Sequence, residues 1–229
     1  MERISVQENK MECGANVKIV LRILRHGERD TSGNLLDYGR DMTKEVAGVS
    51  PEANESWDAV KALGSNAGPL SPVGMGRSKE TAAIYSSEIA SDEKLFNPRT
   101  KDILSYETLV SKAPYDHVAI YNSFLPDNYI ELNDTEKSKA ARRAQQKVVE
   151  YVWNLETEDA KTYKQEIAGA YATFILHYVE MSKRLKSDSR VLLPSGTHGG
   201  MMELLLKEAL VDEVGKKEWS LDEIGGDFN

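Results

Sequence analysis

The residue types best suited to chemistry lie in a short polar run, Arg25-His26-Gly27-Glu28. This run directly follows an apolar stretch over residues 17–24. A neutral imidazole can act as a nucleophile, and the planar guanidinium of Arg25 can bind two phosphate oxygens at once. Gly27 removes side-chain bulk where a ligand has to approach closely. Polar groups placed straight after a buried strand are best explained by a cleft. The run by itself predicts a histidine at a strand end with an anion-binding neighbour, and a structural histidine is the alternative interpretation. Together with the motifs below it predicts a phosphate-processing site with a phosphorylatable His26.

A second histidine has similar surroundings. His198 lies between Thr197 and the pair Gly199-Gly200, immediately before a predicted helix. Free N–H groups at a helix N-terminus attract anions, and small residues leave room for them. An incidental histidine in a glycine-rich turn is the alternative interpretation. Two such turns in one chain favour a functional role for His198.

A further basic residue, Arg77, falls close to the start of a predicted helix. A cation at that position opposes the helix dipole and is easier to explain if an anion lies beside it. As a single observation this does no more than point to an anion near Arg77. A Walker-type phosphate loop is excluded, because the chain has no Gly-x-x-x-x-Gly-Lys-Ser/Thr stretch.

These residues have to be positioned by strands and helices that alternate along the chain. Strands are predicted over residues 17–24, 57–63 and 191–193, where β-branched and apolar residues cluster. Helices are predicted over about 36–47 with a stop at Gly48, 76–89, 134–155, 160–185 and 201–210. This alternation predicts an α/β fold: a three-layer sandwich with a mainly parallel central sheet flanked by helices, plus a helical elaboration. Such sheets bind ligands beyond the carboxyl ends of their strands, where both histidines fall.

The chain of 229 residues suits one domain over 17–229, with its helical portion at about 134–187. Residues 1–16 are charged, lack the apolar stretch of a secretory signal and are predicted to form a mobile tail. Residues 221–226 resemble the approach to another strand although the sequence stops at Asn229. Whether the C-terminus is truncated therefore stays open.

Composition limits the partners. A net charge of −8 argues against nucleic acid or an anionic membrane as the main partner, so any phosphate site must be a local positive focus. No run is long enough to span a membrane. The single cysteine, Cys13, fits a reducing compartment, and a cytoplasmic protein is expected. Scattered histidines predict no metal site, no cofactor is expected, and the oligomeric state stays open.

Four stretches in this order resemble the histidine phosphatase superfamily, which is phosphoglycerate mutase-like. They are Arg25-His26-Gly27-Glu28, Leu35-Leu36-Asp37-Tyr38-Gly39-Arg40, Ser71-Pro72 with Arg77-Ser78-Lys79-Glu80-Thr81-Ala82, and Ser195-Gly196-Thr197-His198-Gly199-Gly200. The resemblance covers roughly residues 17–210. Its first motif is short, but the combination with Arg-x-x-x-Thr-Ala and the second-histidine turn is fairly specific.

The resemblance implies that His26 is the nucleophile and takes the phosphoryl group on a ring nitrogen. Arg25, Arg77 and His198 would bind the phosphate oxygens and stabilise the charge of transfer. The other nitrogen of His26 should be held by a backbone carbonyl. The expected activity is metal-independent hydrolysis of a phosphate monoester, with a small phosphorylated metabolite as substrate.

A proton donor to the leaving oxygen is also implied, and Glu107 is the best match to the family pattern. A surface glutamate on a loop is the other interpretation of Glu107, while Glu28 and Glu203 are weaker candidates. In the acid-phosphatase branch an aspartate follows the second histidine. This chain has Gly199 there, which favours the branch without that aspartate.

Two departures from the family pattern bear on the activity. The extended signature of true mutases around the acidic residue is absent, which favours a phosphatase, and the link from Ser71-Pro72 to Arg77 is longer than usual. A mutase and a catalytically silent phosphate-binding protein remain the alternatives. Arg142 and Arg143, on a predicted helix, could reach a substrate carboxylate or a second phosphate. A solvated helix face is the preferred interpretation, and both are placed outside the site.

Overall fold

The structure is a computed structural model that describes residues 14–27, 29–30, 32–66, 68, 70–105, 110–198 and 201–209. Its strands are Lys18–Arg25 (β1), Ala59–Gly64 (β2), Leu95–Thr100 (β3) and Arg190–Thr197 (β4). Its α-helices are Asp37–Val49 (α1), Arg77–Ile89 (α2), His117–Ser123 (α3), Asp134–Asn154 (α4), Glu158–Ser182 (α5) and Met201–Ala209 (α6). None of the described helices is both long and apolar enough to cross a membrane.

The four strands form one sheet in the order β1-β4-β2-β3, and all three pairings between them are parallel. At its end β1 aligns Arg25 with Thr197 of β4, while β2 aligns Gly64 with Gly196. The carboxyl ends of three neighbouring strands therefore meet at one edge. His26 extends the ladder, because its N–H donates to the carbonyl of Thr197 at 3.0 Å.

Helices cover both faces of the sheet, because successive strand residues point to opposite sides. On one face Val20, Leu24 and Leu192 pack in a cluster with Ala47 of α1 and Tyr85 of α2. The other face belongs to a cluster that α4, α5 and α6 share with β1 and β4. Its strand members are Ile19, Leu21, Ile23, Val191 and Leu193. The predicted α/β three-layer sandwich is confirmed.

The helices α4 and α5 both begin at polar caps. Asn133 and Glu136 form a capping box at the start of α4. The turn between the helices is held by the buried ammonium of Lys164, which donates to the carbonyls of Trp153 and Leu155 at 3.2 and 2.8 Å. The last carbonyls of a helix have no partner within the helix, so Lys164 has a structural role here.

Several elements differ from the sequence-based expectation. The edge strand β3 is not expected from the sequence, because Asn97 and Pro98 interrupt any apolar alternation and the strand is largely exposed. Helix α3 is likewise unpredicted. Helix α1 continues through Gly48 and stops at Ser50, whose N–H donates to Ala47, because Pro51 follows. Strand β4 extends to Thr197 through a proline, Pro194, which is rare in a central strand.

Part of the predicted tail is described. The N–H of Gly14 donates to the carbonyl of Leu185 at 3.2 Å, and the Asn16 amide donates to Asp188 at 3.2 Å. Residues 14–16 thus lie against the segment between α5 and β4. Residues 1–13 and 210–229, including the strand-like stretch at 221–226, lie outside the described residues.

Two glycines let α2 rest directly on the sheet. A Cβ added to Gly196 of β4 would lie 1.8 Å from the carbonyl oxygen of Ser78, and one added to Gly64 of β2 would lie 2.4 Å from Cα of Lys79. Both obstacles are backbone atoms that cannot swing aside. The first turn of α2 therefore approaches the strands as closely as glycine allows, directly above the carboxyl ends of β2 and β4.

We predict that Gly196→Ala destabilises the protein on the order of 3 kcal/mol, because the methyl group forces α2 away from β4. Urea unfolding followed by circular dichroism measures this. Gly169→Ala is the matched control: Gly169 is exposed within α5 and has nothing within 4 Å of an added Cβ. That variant should gain about 0.5–1 kcal/mol from helix propensity. Equal stability of the two variants would contradict the close packing of α2.

Candidate active site

The first site residue, His26, follows β1 and is oriented by its neighbour. Its Nδ1 lies 2.7 Å from the carbonyl oxygen of Gly27. A carbonyl oxygen only accepts hydrogen bonds, so Nδ1 carries the proton and Nε2 keeps its lone pair. The backbone carbonyl that a nucleophilic histidine requires is thus supplied by the next residue in the chain.

Gly27 has to be glycine because helix α1 passes close to it. An added Cβ would lie 2.7 Å from the carbonyl oxygen of Gly39 and 2.9 Å from Cδ1 of Leu35. The N–H of Gly27 donates to Oγ1 of Thr81 at 3.2 Å, and that hydroxyl donates to the carbonyl of Arg77 at 2.9 Å. The turn after β1 is therefore held between α1 and the first turn of α2.

The second histidine lies beside the first. The ring centroids of His26 and His198 are 5.0 Å apart, with an interplanar angle of 64°. His198 is buried, with Nε2 at 3.1 Å from Oγ of Ser65 and Nδ1 at 3.4 Å from Nη2 of Arg77. Three of the residues predicted from the sequence, His26, His198 and Arg77, are brought together at the carboxyl edge of the sheet.

Arg77 reaches the site although the link before it is long. The stretch from Leu70 to Gly76 closes into a turn: these two residues form an antiparallel bridge, and the N–H of Ser71 donates to the carbonyl of Met75 at 2.9 Å. The additional residues are absorbed in this turn. Arg77 then opens α2, with Nη1 at 3.4 Å from the carbonyl of Gly33.

Burial keeps both histidines neutral. Desolvation, followed by the charge of Arg77, lowers the pKa of His26 to about 3. Desolvation, followed by the interactions with His26 and Arg77, lowers the pKa of His198 to about 2. At neutral pH each ring is therefore uncharged and offers one lone pair.

Further cations surround this pair. Desolvation lowers the pKa of Arg25 to about 10, the carboxylate of Glu203 acts in the opposite direction, and the charges of Arg142 and Arg29 add to the lowering. Arg142 is half-buried on α4 and its charge acts on Arg25, whereas Arg143 is exposed. The acidic chain thus has a local concentration of positive charge here.

The three candidates for the general acid differ in whether they belong to the described residues. Glu107 and Glu28 lie outside the described residues, as do Gly199 and Gly200. Glu203 is described, buried on α6, and its charge acts on Arg25. It is therefore the one of the three candidate glutamates whose position relative to the cations is known.

Sequence reasoning did not identify Ser65 or Ser78, gave Arg29 no role in the site and placed Arg142 outside it. Ser65 and Ser78 are isolated serines in the sequence, and only the packing of α2 on β2 brings their hydroxyls to 3.0 Å from each other. Arg142 carried no local signal, because an arginine on a polar helix face is usually solvated. Arg29 follows the first motif closely, and its proximity to His26 was the one accessible clue.

No protein-family model and no curated protein matches the chain. Among solved structures, the native structure of a mycobacterial glucosyl-3-phosphoglycerate phosphatase matches with a TM-score of 0.31 and 15% identity, covering 81% of this chain and 76% of that chain. Mycobacterial hydrolase 1 matches with a TM-score of 0.30 and 15% identity, covering 82% and 80%. Since both TM-scores are low, we draw neither fold nor activity from them.

The low pKa of His198 predicts a pH-dependent stability. Between its ordinary value of 6.5 and about 2, the unfolded chain binds a proton that the folded chain does not. His198 therefore makes the folded protein less stable as the pH falls below 6.5. Above 6.5 it adds no dependence of stability on pH. Between pH values of about 7.5 and about 5, His198→Asn should lose less stability than the unsubstituted protein, by up to about 2 kcal/mol.

Urea titrations at both pH values test this expectation. His177→Asn is the matched control, because His177 is exposed on α5 with its ring against Tyr178. It should retain the pH dependence of the unsubstituted protein. If His198→Asn also retained it, the imidazole of His198 would not be buried in its neutral form.

Proposed function

We propose that this protein hydrolyses a phosphate monoester through a phosphohistidine formed on Nε2 of His26. The observation that carries the proposal is the contact between Nδ1 of His26 and the carbonyl of Gly27, next to Arg77 and His198. It directs the lone pair of a neutral imidazole away from the backbone, as nucleophilic attack on phosphorus requires.

The neighbouring groups support binding of the transferred phosphoryl group. The guanidinium of Arg77 is buried, so its charge is weakly screened and acts strongly on an anion. Arg25 and Arg29 add positive charge around both histidines. In this proposal the protein provides positioning and charge neutralisation, which is most of what phosphoryl transfer needs.

The proposed reaction has two balanced steps. First, Nε2 of His26 forms a bond to phosphorus as the ester P–O bond breaks, and the leaving oxygen takes a proton from a carboxylic acid. Second, water attacks the phosphohistidine, the carboxylate takes a proton from that water, and phosphate leaves with free His26. The nucleophile and the acid are both side chains, so the proposal includes no metal or cofactor.

The setting proposed for this activity follows from composition and site chemistry together. A small phosphorylated metabolite in a reducing cytoplasm is the substrate class we favour, because the cations are gathered in one place and the chain has a single cysteine. A panel of small phosphate monoesters would identify the substrate within this class.

His26→Ala should reduce hydrolysis of an aryl phosphate by at least about 10³-fold, because the nucleophile is lost. Release of the phenol, followed spectrophotometrically, measures this. His177→Ala removes an exposed histidine of α5 and should retain full activity. Rapid quenching with radiolabelled substrate should trap an acid-labile phosphate on the protein. Full activity of His26→Ala would falsify the mechanism, and binding of vanadate without turnover would favour the silent alternative.

The acid can be assigned from the dependence on the leaving group. We predict that Glu107→Gln slows hydrolysis of an alkyl phosphate by about 10²–10⁴-fold and of a nitrophenyl phosphate far less, since a good leaving group needs little protonation. Glu203→Gln is the comparison variant and should affect both esters equally, through Arg25. If the selective loss occurs with Glu203→Gln instead, the acid is Glu203 and the sequence-based choice is wrong.

A further inference from the structure

Two buried serines lie on the Nε2 side of the His198 ring. Ser65, at the end of β2, and Ser78, in the first turn of α2, are 1% and 0% exposed. Oγ of Ser65 lies 3.1 Å from Nε2 of His198 and 3.0 Å from Oγ of Ser78. Oγ of Ser78 in turn lies 3.1 Å from the carbonyl oxygen of Ser65. The hydroxyls thus form a chain that runs from the imidazole to a backbone carbonyl.

The direction of this chain follows from its last acceptor. A carbonyl oxygen cannot donate, so Ser78 donates its proton to the carbonyl of Ser65. The hydroxyl of Ser65 must then donate to Ser78 and accept from the ring. Nε2 of His198 therefore carries a proton.

The contact with Arg77 agrees with this tautomer but is too long to fix it without the serines. A guanidinium has donors only, so Nη2 of Arg77 donates to Nδ1 of His198 at 3.4 Å. Nδ1 then has a lone pair, and a neutral ring has its proton on Nε2. A single assignment of protons satisfies the three contacts of the serine chain and the contact with Arg77. In this assignment Nε2 carries the proton and Nδ1 accepts from Arg77.

From this geometry, and on the basis of the proposed phosphate site, we infer that Ser65 and Ser78 are positioning residues that hold the proton of His198 on Nε2. The ring then meets a bound phosphoryl group through Nδ1 alone. A lone pair facing a fully ionised phosphate is repulsive. Nδ1 therefore takes up one proton from solvent when such an anion binds, and the resulting N–H donates a hydrogen bond to a phosphate oxygen.

The surroundings oppose that proton until an anion arrives. His198 faces His26 and the charges of Arg25 and Arg29 from the β1 side, and Arg77 from α2. From α6, the carboxylate of Glu203 interacts with the charge of Arg25. A phosphate dianion would reverse the balance of charge at Nδ1, whereas Nε2 keeps its bond to Ser65 throughout. Anion binding and protonation of His198 are thus coupled.

Nitrogen-15 NMR of the full chain with labelled histidine tests this, with inorganic phosphate as the probe and single histidine variants for assignment. At a pH of about 7.5, the phosphate-free protein should show Nε2 protonated and Nδ1 unprotonated in His198. Saturating phosphate should protonate Nδ1 and leave Nε2 unchanged, with uptake of about one proton by calorimetry in two buffers. A proton on Nδ1 in the free protein, or an unprotonated Nδ1 with phosphate bound, overturns the inference.

Ser65→Ala should produce a mixture of His198 tautomers and weaken phosphate binding about tenfold, the size expected for one buried hydrogen bond. Ser78→Ala should have the same effect on the tautomer, and it provides the test if Ser65→Ala folds poorly. The matched control is Ser86→Ala, because that buried hydroxyl of α2 donates to the carbonyl of Ala82 at 2.7 Å. Unchanged His198 signals in both Ser65→Ala and Ser78→Ala would also overturn the inference.

These results are separable from those that test the proposed function. If His26→Ala retained hydrolysis while phosphate still protonated Nδ1 of His198, the nucleophile would be wrong and the role of the serines would stand. If hydrolysis depended on His26 while His198 carried its proton on Nδ1 in the free protein, the reverse would hold.

Discussion

The site depends on one close contact, in which the first turn of α2 rests on Gly196 of β4 and Gly64 of β2. This contact places Arg77 and Ser78, which are neighbours in the chain, directly over the carboxyl ends of the strands. Arg77 thereby reaches one nitrogen of His198 and Ser78 reaches the serine that holds the other. A side chain at either glycine would lift the helix and separate both pairs, so packing and chemistry have the same origin.

Burial has opposite consequences for the histidines and the arginines of this site. Desolvation removes the charge of an imidazole, whose pKa lies near neutrality, and so leaves His26 and His198 with lone pairs. Desolvation lowers the pKa of Arg25 only to about 10, so its guanidinium stays charged at neutral pH. One environment therefore yields neutral rings surrounded by permanent cations. This combination suits an anion better than the net charge of −8 would indicate.

Local patterns predicted those parts of the molecule that local patterns determine. Strand β1 and helix α4 could be recognised from an apolar run and a polar cap, and His26, His198 and Arg77 from their places beside such elements. Strand β3 lacks alternation because it is an exposed edge, and β4 passes through Pro194, so neither extent could be inferred. Ser65, Ser78 and Arg142 acquire their surroundings only from packing between distant segments, which a single sequence does not display.

The two histidines are chemically identical, similarly desolvated and 5.0 Å apart, yet their partners give them different functions. The carbonyl of Gly27 holds the proton of His26 on Nδ1, so Nε2 is left with the lone pair that attacks phosphorus in the proposed mechanism. Ser65 holds the proton of His198 on Nε2, so Nδ1 is left facing Arg77. Exchanging the two tautomers would leave Nε2 of His26 protonated and non-nucleophilic. In the proposed mechanism, neighbouring oxygen atoms decide which histidine is the nucleophile, and the pKa of either ring does not.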